Sequence, residues 1–346
     1  MGLSFLQVPE SRSEEARQFL MQIFQCAADA PSFTKLQMQW KYWEPRTDWP
    51  GSRSYALADD SGAFVAEVGV WPFELRTTEA VIPGLHPIDW VAAPKARGAG
   101  MQLLREVSKL RGVSFCIGGT DIAKATVRRA GFQSVRQMYM LACPLRPLRQ
   151  ALTHQWRNWK LPLRFARNAM WAARAATPPP GWTADAIAPE HLPADVLPQA
   201  KSNLMVVTRT PELFAYFERC PGARFRLWLV KKDDRPCGYF CLSFVPGQVR
   251  IADAWVSTQD LSSWHSLYAL AMQAALAQGS AAEILTGVTY NLAHQAALAA
   301  GFRSVGQEDV MAYDPSGYFS PSVEVHLQVM ENDISCLHAG RIEYVT

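Results

Sequence analysis

A turn with two glycines and two basic residues is the clearest candidate for chemistry in this chain. Gly98 and Gly100 follow Lys95 and Arg97, between an apolar strand-like run and a helix-like run. The first N–H groups of a helix have no partners within the helix, and the helix dipole adds partial positive charge beside them. Glycines let the backbone approach an anion without interference from a Cβ atom. The turn therefore predicts a phosphate-binding site, although an ordinary strand-to-helix turn has the same composition.

Alternating and apolar runs around this turn predict the elements that must hold it. We expect a strand over 86–93 before the turn and a helix over 101–110 after it. The next elements are a strand over 113–117, a helix over 121–130 and a strand over 134–143.

The segment 130–137 returns 170 positions later as segment 300–307, with six of its eight residues identical. A helix-like run precedes each copy, and an apolar strand-like run follows it. A match at a fixed offset indicates an internal duplication, and two copies half a chain apart predict two similar domains.

We place one domain at 1–143 and the other at 181–346, joined by a connector at 144–180. The predicted elements of the second domain follow a similar order, with a helix expected over 199–219. The region that corresponds to the glycine turn contains no glycine. We therefore expect a phosphate-binding turn in the first domain alone.

Composition limits the class of protein. The chain has 346 residues, of which 49% are hydrophobic and 19% charged, enough for two ordinary cores. It has no apolar run of about 18 residues and no N-terminal pattern of a secretory signal, so we expect a cytoplasmic protein. The seven cysteines are scattered and complete no zinc-binding pattern, which predicts reduced thiols and no metal site.

The net charge is only +3, but its distribution is uneven. Between residues 122 and 184 there are eleven Lys and Arg residues and no Asp or Glu. The connector also contains Trp156, Trp159, Phe165 and Trp171. Basic and aromatic residues together predict either peripheral contact with the inner face of the membrane or packing between the domains. Nucleic acid is the least favoured partner, because the remaining chain is acidic and contains no recognised nucleic-acid-binding module.

The run 90–104 resembles the acyl-coenzyme A motif of the GNAT N-acetyltransferase superfamily, a strand, a glycine-rich turn and a helix with paired leucines. Lys95 stands in the first position of the motif, where the family usually has Gln or Arg. The resemblance covers about 80–143 well, whereas the second half matches only in the order of its elements and in the pair Gly301-Phe302. The two halves together resemble tandem GNAT proteins, a group that includes mycothiol synthase and the Fem-type peptidyltransferases.

This resemblance implies an α/β (α+β) fold of two tandem domains, each with a mixed, mostly antiparallel sheet flanked by helices. It also implies acetyl-CoA as co-substrate, with its pyrophosphate on the backbone amides of the turn and its pantetheine arm on a strand that splays from its neighbour. The implied coenzyme contacts are Trp90, Val91, Ala92, Lys95, Ala96, Arg97, Gly98, Ala99, Gly100, Met101 and Arg128.

The resemblance further implies a carboxylate base on the central strands, because the amine must lose a proton. Asp89 and Glu67 are the candidates, and a structural ion pair or buried hydrogen bond is the alternative role for Asp89. The family's usual acid is a tyrosine at a position where this chain has Val127 and Ala297. Tyr139 is the candidate substitute, unless the thiolate leaves toward water.

The expected function is therefore an acyl-CoA-dependent N-acyltransferase, with acetyl as the expected group. The acceptor is expected to be an amine, on an amino sugar or a cell-envelope precursor, bound in the cleft between the domains. Two alternatives stay open. One is a non-catalytic binding or scaffold protein that kept the fold and lost the acid. The other is a Fem-type aminoacyl transferase, which fits the basic stretch but leaves the glycine turn unexplained.

Overall fold

One mixed β-sheet of fourteen strands extends through both halves of the chain in the computed structural model. The structure describes residues 2–27, 29–153, 160–279, 281–338 and 344–346. Within these residues, nine α-helices connect and cover the strands.

The first half has six strands and four helices, with the helix and strand order expected around the glycine turn. They are β1 (Ser4–Gln7), α1 (Ser13–Phe24), α2 (Lys35–Met38), β2 (Ser54–Ala58), β3 (Phe64–Arg76), β4 (Val81–Ala92), α3 (Ala99–Ser108), β5 (Val113–Ile117), α4 (Asp121–Arg129) and β6 (Gln133–Pro144). A π-helical turn, Gln39–Trp43, continues α2. The Thr120 side chain accepts a hydrogen bond from the Ala123 N–H and begins α4, and Gly131 with φ +103° follows its end.

Two helices follow in the connector, and the second half then repeats the order of the first. The elements are α5 (Pro147–Thr153), α6 (Leu161–Ala172), β7 (Trp182–Ile187), β8 (Leu204–Val207), α7 (Pro211–Glu218), β9 (Arg224–Lys232), β10 (Arg235–Val245), β11 (Gln248–Val256), α8 (Leu261–Ala277), β12 (Glu283–Val288), α9 (Asn291–Ala299), β13 (Arg303–Tyr313) and β14 (Glu324–His326). The helix expected over 199–219 is wrong in its first part. Strand β8 lies there, because it pairs with β3 and β14, and Thr210 caps α7 behind it.

The two halves exchange their last long strands. The order along the sheet is β1-β2-β3-β4-β5-β13-β6-β12-β11-β10-β9-β7, and β8 with its neighbour β14 joins at β3. Strand β13 of the second half therefore pairs with β5 of the first, and β6 of the first half pairs with β12 of the second. Because strands of both halves form one sheet, the domain boundaries at 143 and 181 stay a prediction.

The exchange follows a local two-fold symmetry between β6 and β13. Ala142 lies opposite Arg303, and Gln133 lies opposite Ala312. Residues 133 and 303 occupy equivalent places in the duplicated sequence, as do residues 142 and 312, so the two pairs exchange under the symmetry. The sequence repeat is thus a structural repeat, with its axis at the centre of the sheet.

Aromatic side chains connect the cores of the halves. The buried Trp40 stacks on Tyr216 of α7 with ring centroids 4.9 Å apart, and its indole N–H donates to the Tyr216 carbonyl at 3.0 Å. The indole N–H of Trp71 on β3 donates to the Met330 carbonyl at 2.9 Å. Trp40 and Trp71 of the first half therefore bury their polar atoms against the second half.

None of the helices in the described part of the chain is long and apolar enough to cross a membrane.

Candidate active site between strands β4 and β5

A β-bulge interrupts β4 just before the glycine turn. The register of β3 with β4 shifts between Glu67 and Gly69, where β4 has one residue more than β3. Asp89 lies in this bulge with φ +48°, in the left-handed region, which costs an aspartate about 1 kcal/mol. Bulges re-aim side chains, and this one turns Asp89 toward a group of buried polar residues.

The Asp89 carboxylate has two donors from the π-helical turn. The Lys41 ammonium donates to Asp89 Oδ2 at 2.5 Å and to Asp333 Oδ2 at 3.0 Å, and the Tyr42 hydroxyl donates to the same Asp89 oxygen. Burial opposes the charge on Lys41, but Asp89 and Asp333 outweigh it and raise the pKa of the ammonium. Burial and the Asp89 charge raise the pKa of the Tyr42 phenol. Asp89 Oδ1 makes no hydrogen bond with the described residues.

Glu67 is buried beside this group. The Ser54 hydroxyl donates to Glu67 Oε1 at 3.0 Å, and the buried Oε2 has no partner among the described residues. Burial raises the pKa of Glu67 well above its ordinary value, the Ser54 hydrogen bond opposes the rise, and the Asp89 charge adds to it. Both candidate bases thus have an oxygen without a described partner, but Glu67 is buried, whereas Asp89 lines the cavity described below.

Tyr139 does not share the Asp89 group. Its ring lies flat on the His294 ring of α9, with centroids 3.9 Å apart. The next residue, Met140, lines a cavity together with Asp89. Because consecutive strand residues point to opposite faces, Tyr139 lies on the other face of the sheet from that cavity. The phenol that the structure brings to Asp89 is that of Tyr42.

The predicted phosphate turn closes tightly before α3. The Ala96 N–H donates to the Ala93 carbonyl at 2.9 Å, and the Ala99 N–H donates to the Ala96 carbonyl at 3.1 Å. Gly98 is the N-cap of α3 with φ +84°, a conformation that favours glycine, and a Cβ atom there would meet open space.

The start of α3 presents free donors. The N–H groups of Gly98, Gly100 and Met101 have no acceptor among the described residues, because the first helical bond runs from Gln102 to Gly98. Lys95 and Arg97 are exposed beside them. The turn therefore combines unpaired N–H groups, a helix N-terminus and two cations, which suits a phosphate.

A gap opens in the sheet beside this turn. Strands β4 and β5 pair only at Gly84–Val113 and Leu85–Ser114. Further along, β5 pairs with β13, and residues 90–92 have no β5 partner among the described pairs. The Trp90 indole N–H donates to the Gly100 carbonyl at 2.9 Å, so this side chain packs against the start of α3. The predicted splay of β4 thus reaches from the turn to the bulge.

Arg128, one of the predicted coenzyme contacts, lies on the exposed side of α4. Its guanidinium is 3.2 Å from Asp309 on β13, and the neighbouring Lys124 is 3.1 Å from Glu308. Exposed pairs of this kind contribute about 0–1 kcal/mol, so these cations remain available to a stronger anion.

A cavity of about 570 Å³ lies between the halves. Asp89 forms part of its wall, with Met140 from β6, Leu285 from β12 and Arg250 from β11. The other lining residues are mostly apolar: Phe24, Cys26, Ser32, Phe33, Val245, Pro246, Gln248, Ile334, Leu337, His338 and Val345. An apolar molecule with a polar end at Asp89 fits this lining.

The corresponding gap of the second half is filled by the chain itself. Strands β11 and β12 pair as far as Ile251–Thr286. The Gln328 amide then donates to Asp253 Oδ1 at 2.6 Å and to the Ala254 carbonyl at 2.9 Å. Arg209 binds both oxygens of Asp253 at 2.8 Å, which fixes the carboxylate in place. Segment 324–331 therefore lies where the first half has its gap.

Sequence reasoning missed Lys41, Tyr42 and Arg250 as site residues, and it left Asp333 open between a turn and a substrate contact. The available signal for Lys41 was a single cation within the run Trp40-Lys41-Tyr42-Trp43. Buried cations need partners, so this run indicates a buried ion pair without telling which carboxylate completes it.

No protein-family model and no curated protein sequence matches the chain. Among solved structures, the GCN5-related N-acetyltransferase from Anabaena variabilis is 10% identical with a TM-score of 0.58, over 90% of this chain and 73% of that one. A tandem GNAT protein from the clavulanic acid biosynthesis pathway is 11% identical with a TM-score of 0.54, over 90% of this chain and 98% of that one. Saccharomyces cerevisiae N-myristoyltransferase is 12% identical with a TM-score of 0.56, over 90% of this chain and 80% of that one. The predicted fold, two tandem GNAT-like units, is confirmed.

Replacing Glu67 with glutamine should stabilise the protein more at neutral pH than at pH 4. The pKa of Glu67 is raised in the folded protein, so the folded state keeps a proton that the unfolded chain releases above about pH 4.3. The contribution of Glu67 to the unfolding free energy is therefore lost as pH rises from its unfolded-state pKa to its raised folded-state pKa. The loss is up to about 1.4 kcal/mol per pH unit. Urea unfolding of Glu67→Gln and the unmodified protein from pH 4 to 8 measures this.

Glu79→Gln, at an exposed position, is the matched control. Its unfolding free energy should depend on pH in the same way as that of the unmodified protein. A Glu67→Gln curve parallel to that of the unmodified protein at every pH would contradict the raised pKa.

Proposed function

We propose that the protein is an acyl-CoA-dependent N-acyltransferase whose first half binds the coenzyme. The observation that carries this proposal is the gap between β4 and β5, which connects the glycine turn with the Asp89 bulge. The free N–H groups of Gly98, Gly100 and Met101 would bind the pyrophosphate. Residues 90–92 would bind the pantetheine arm, which brings the thioester toward Asp89. The yeast N-myristoyltransferase structure, which contains bound myristoyl-CoA, supports acyl-CoA as a ligand for this fold.

In the proposed reaction, the amine nitrogen attacks the thioester carbonyl, a C–N bond forms and the C–S bond breaks. Asp89 accepts the proton of the amine through its free Oδ1, while Lys41 and Tyr42 hold Oδ2. Tyr139 has no contact with Asp89, so the thiolate takes its proton from water in this proposal. Acetyl is the group we propose, and the cavity between the halves would hold the acceptor.

A Gly98→Asp replacement should abolish acetyl-CoA binding, whereas Gly98→Ala should retain most of it. Both side chains strain the same left-handed residue and enter open space, but only aspartate places a negative charge beside the phosphate. Calorimetry on the unmodified protein should give one acetyl-CoA per chain, because segment 324–331 fills the second gap. Unchanged affinity in a folded Gly98→Asp protein would remove the coenzyme proposal, and a stoichiometry of two would refute the filled gap.

An Asp89→Asn replacement should lower kcat about 10²–10⁴-fold, the usual contribution of a general base, and leave the acetyl-CoA affinity nearly unchanged. Asparagine keeps the shape of the side chain but accepts no proton. Thiol release from acetyl-CoA with an accepted amine measures kcat, and calorimetry measures affinity.

Glu67→Gln is the matched control, because this proposal gives Glu67 no proton to accept. Full turnover in a folded Asp89→Asn protein would end the role of Asp89 as base. If Asp89→Asn fails to fold, and turnover returns when a different ion pair is introduced to restore folding, Asp89 has a structural role alone.

We also propose that the connector helices contact an anionic lipid surface. Gln150 and Asn168 anchor them: the Gln150 amide donates to Thr346 Oγ1 at 2.8 Å, and the Asn168 amide donates to Gln150 Oε1 at 2.9 Å. The opposite side exposes Leu148 by 62%, Leu152 by 78% and Leu163 by 66%. Arg149, Lys160, Arg167 and Arg174 are exposed near them, whereas Trp156 and Trp159 lie outside the described residues.

Vesicle co-sedimentation tests this contact. The protein should sediment with anionic vesicles at low salt, and less with neutral vesicles or at high salt, because each near-surface cation contributes about 1 kcal/mol. Leu152→Ser with Leu163→Ser should weaken sedimentation, whereas Val81→Ser, an exposed apolar residue on β4, should not. A protein that stays in the supernatant throughout would restrict the connector to bridging the halves.

A further inference from the structure

Arg250 is a buried cation in the wall of the cavity, and no carboxylate of the described residues pairs with it. It lies on β11 and is only 7% exposed, and its Nε has no hydrogen-bond acceptor among the described residues. The Nη1 group donates to the carbonyls of Ile334 and Leu337, and Nη2 donates to Gln248 Oε1 at 3.2 Å. The hydrogen-bond acceptors of the guanidinium among the described residues are therefore all neutral.

The neighbouring carboxylates are already engaged. Glu283 accepts hydrogen bonds from Gln248 at 2.6 Å and from Thr346 Oγ1 at 2.7 Å. Asp333 pairs with Lys41 at 3.0 Å. Burial lowers the pKa of Arg250, although Asp333 and Glu283 oppose this from a distance. The guanidinium thus lacks a counter-ion of its own in the described chain, which is costly in a buried site.

The other deeply buried cations differ in their partners. Arg209 pairs with two carboxylates, and Lys41 also pairs with two. Arg53 donates instead to the carbonyls of Trp40 and Lys41 and to the Tyr216 hydroxyl. Arg250 is buried to a similar degree and faces a cavity of about 570 Å³ instead of a carboxylate. A buried, uncompensated guanidinium on a cavity wall indicates an anionic group on the ligand.

We propose that the acceptor is an apolar amine that also carries a carboxylate, and that Arg250 binds this carboxylate. A charge-assisted hydrogen bond between arginine and a carboxylate is stronger than one between neutral groups. The Nε atom of Arg250 is buried, whereas Nη2 has a second hydrogen beyond the one that Gln248 accepts. The apolar lining holds the body of the molecule, and Asp89 faces its amine. The role of the amine rests on the proposed function, whereas the carboxylate site does not require the coenzyme.

Calorimetry on the full chain without coenzyme tests the site with two probes, 8-aminooctanoate and octylamine. They share the chain and the ammonium group and differ in the carboxylate. The unmodified protein should bind 8-aminooctanoate about tenfold or more tightly than octylamine, because the carboxylate forms a charge-assisted hydrogen bond with Arg250 and the methyl end of octylamine forms none. Equal affinities, or tighter binding of octylamine, would overturn the proposal.

Variants of Arg250 test whether this residue causes the preference for 8-aminooctanoate. Arg250→Met should bind the two probes with similar affinity, and Arg250→Lys should keep part of the preference, since the positive charge remains. The exposed Arg235→Met is the matched control and should keep the full preference. A folded Arg250→Met protein with an undiminished preference would overturn the proposal. If Arg250→Met fails to fold, Arg250→Lys and the probe comparison decide.

The two proposals fail separately in these measurements. A carboxylate preference that depends on Arg250, together with no thiol release from acetyl-CoA for any amine, would support the carboxylate site and contradict the acyltransferase proposal. Binding of acetyl-CoA at the glycine turn without any carboxylate preference would support the coenzyme site and contradict the role of Arg250.

Discussion

The ion pair of Lys41 with Asp89 and Asp333 is the interaction on which the site depends. Lys41 is 1% exposed, and its two partners come from β4 and from the C-terminal segment, nearly 250 residues apart in the chain. Removing one member of a buried pair leaves an uncompensated charge and costs about 3–5 kcal/mol. The pair therefore fixes the strained Asp89 bulge, and with it the end of the sheet gap. It also places the C-terminal segment over the cavity.

The two halves use the same architecture for different purposes. In the first half, the gap after the β4–β5 pairing stays free of other strands and reaches a turn with unpaired N–H groups. In the second half, Gln328 and the Arg209–Asp253 pair hold a segment of the chain in the equivalent place. The second copy of the duplicated unit thus supports the first. The cavity between the two halves is lined by Asp89 from the first half and by Arg250 from the second.

Local features were predictable from the sequence, and long-range ones were not. The turn around Gly98 was predictable because glycine and helix start signals lie within a few residues of one another. The partner of Asp89 was not, because Lys41 lies 48 positions away and only the fold brings them together. The lack of a carboxylate partner for Arg250 among the described residues was not predictable either, because it depends on where every nearby carboxylate lies. The error in the first part of the helix predicted over 199–219 has the same cause, since β8 pairs with distant strands.

The exchange of β6 and β13 has a consequence for the synthesis of the chain. Ile117 on β5 pairs with Val310 on β13, so nearly 200 further residues must leave the ribosome before β5 has its second neighbour. At about 5–20 residues per second this takes roughly 10–40 seconds. During that interval the nascent first half carries an apolar strand with an open edge, the kind of surface that pairs with other chains. The edge is covered only when β13 of the second half pairs with β5.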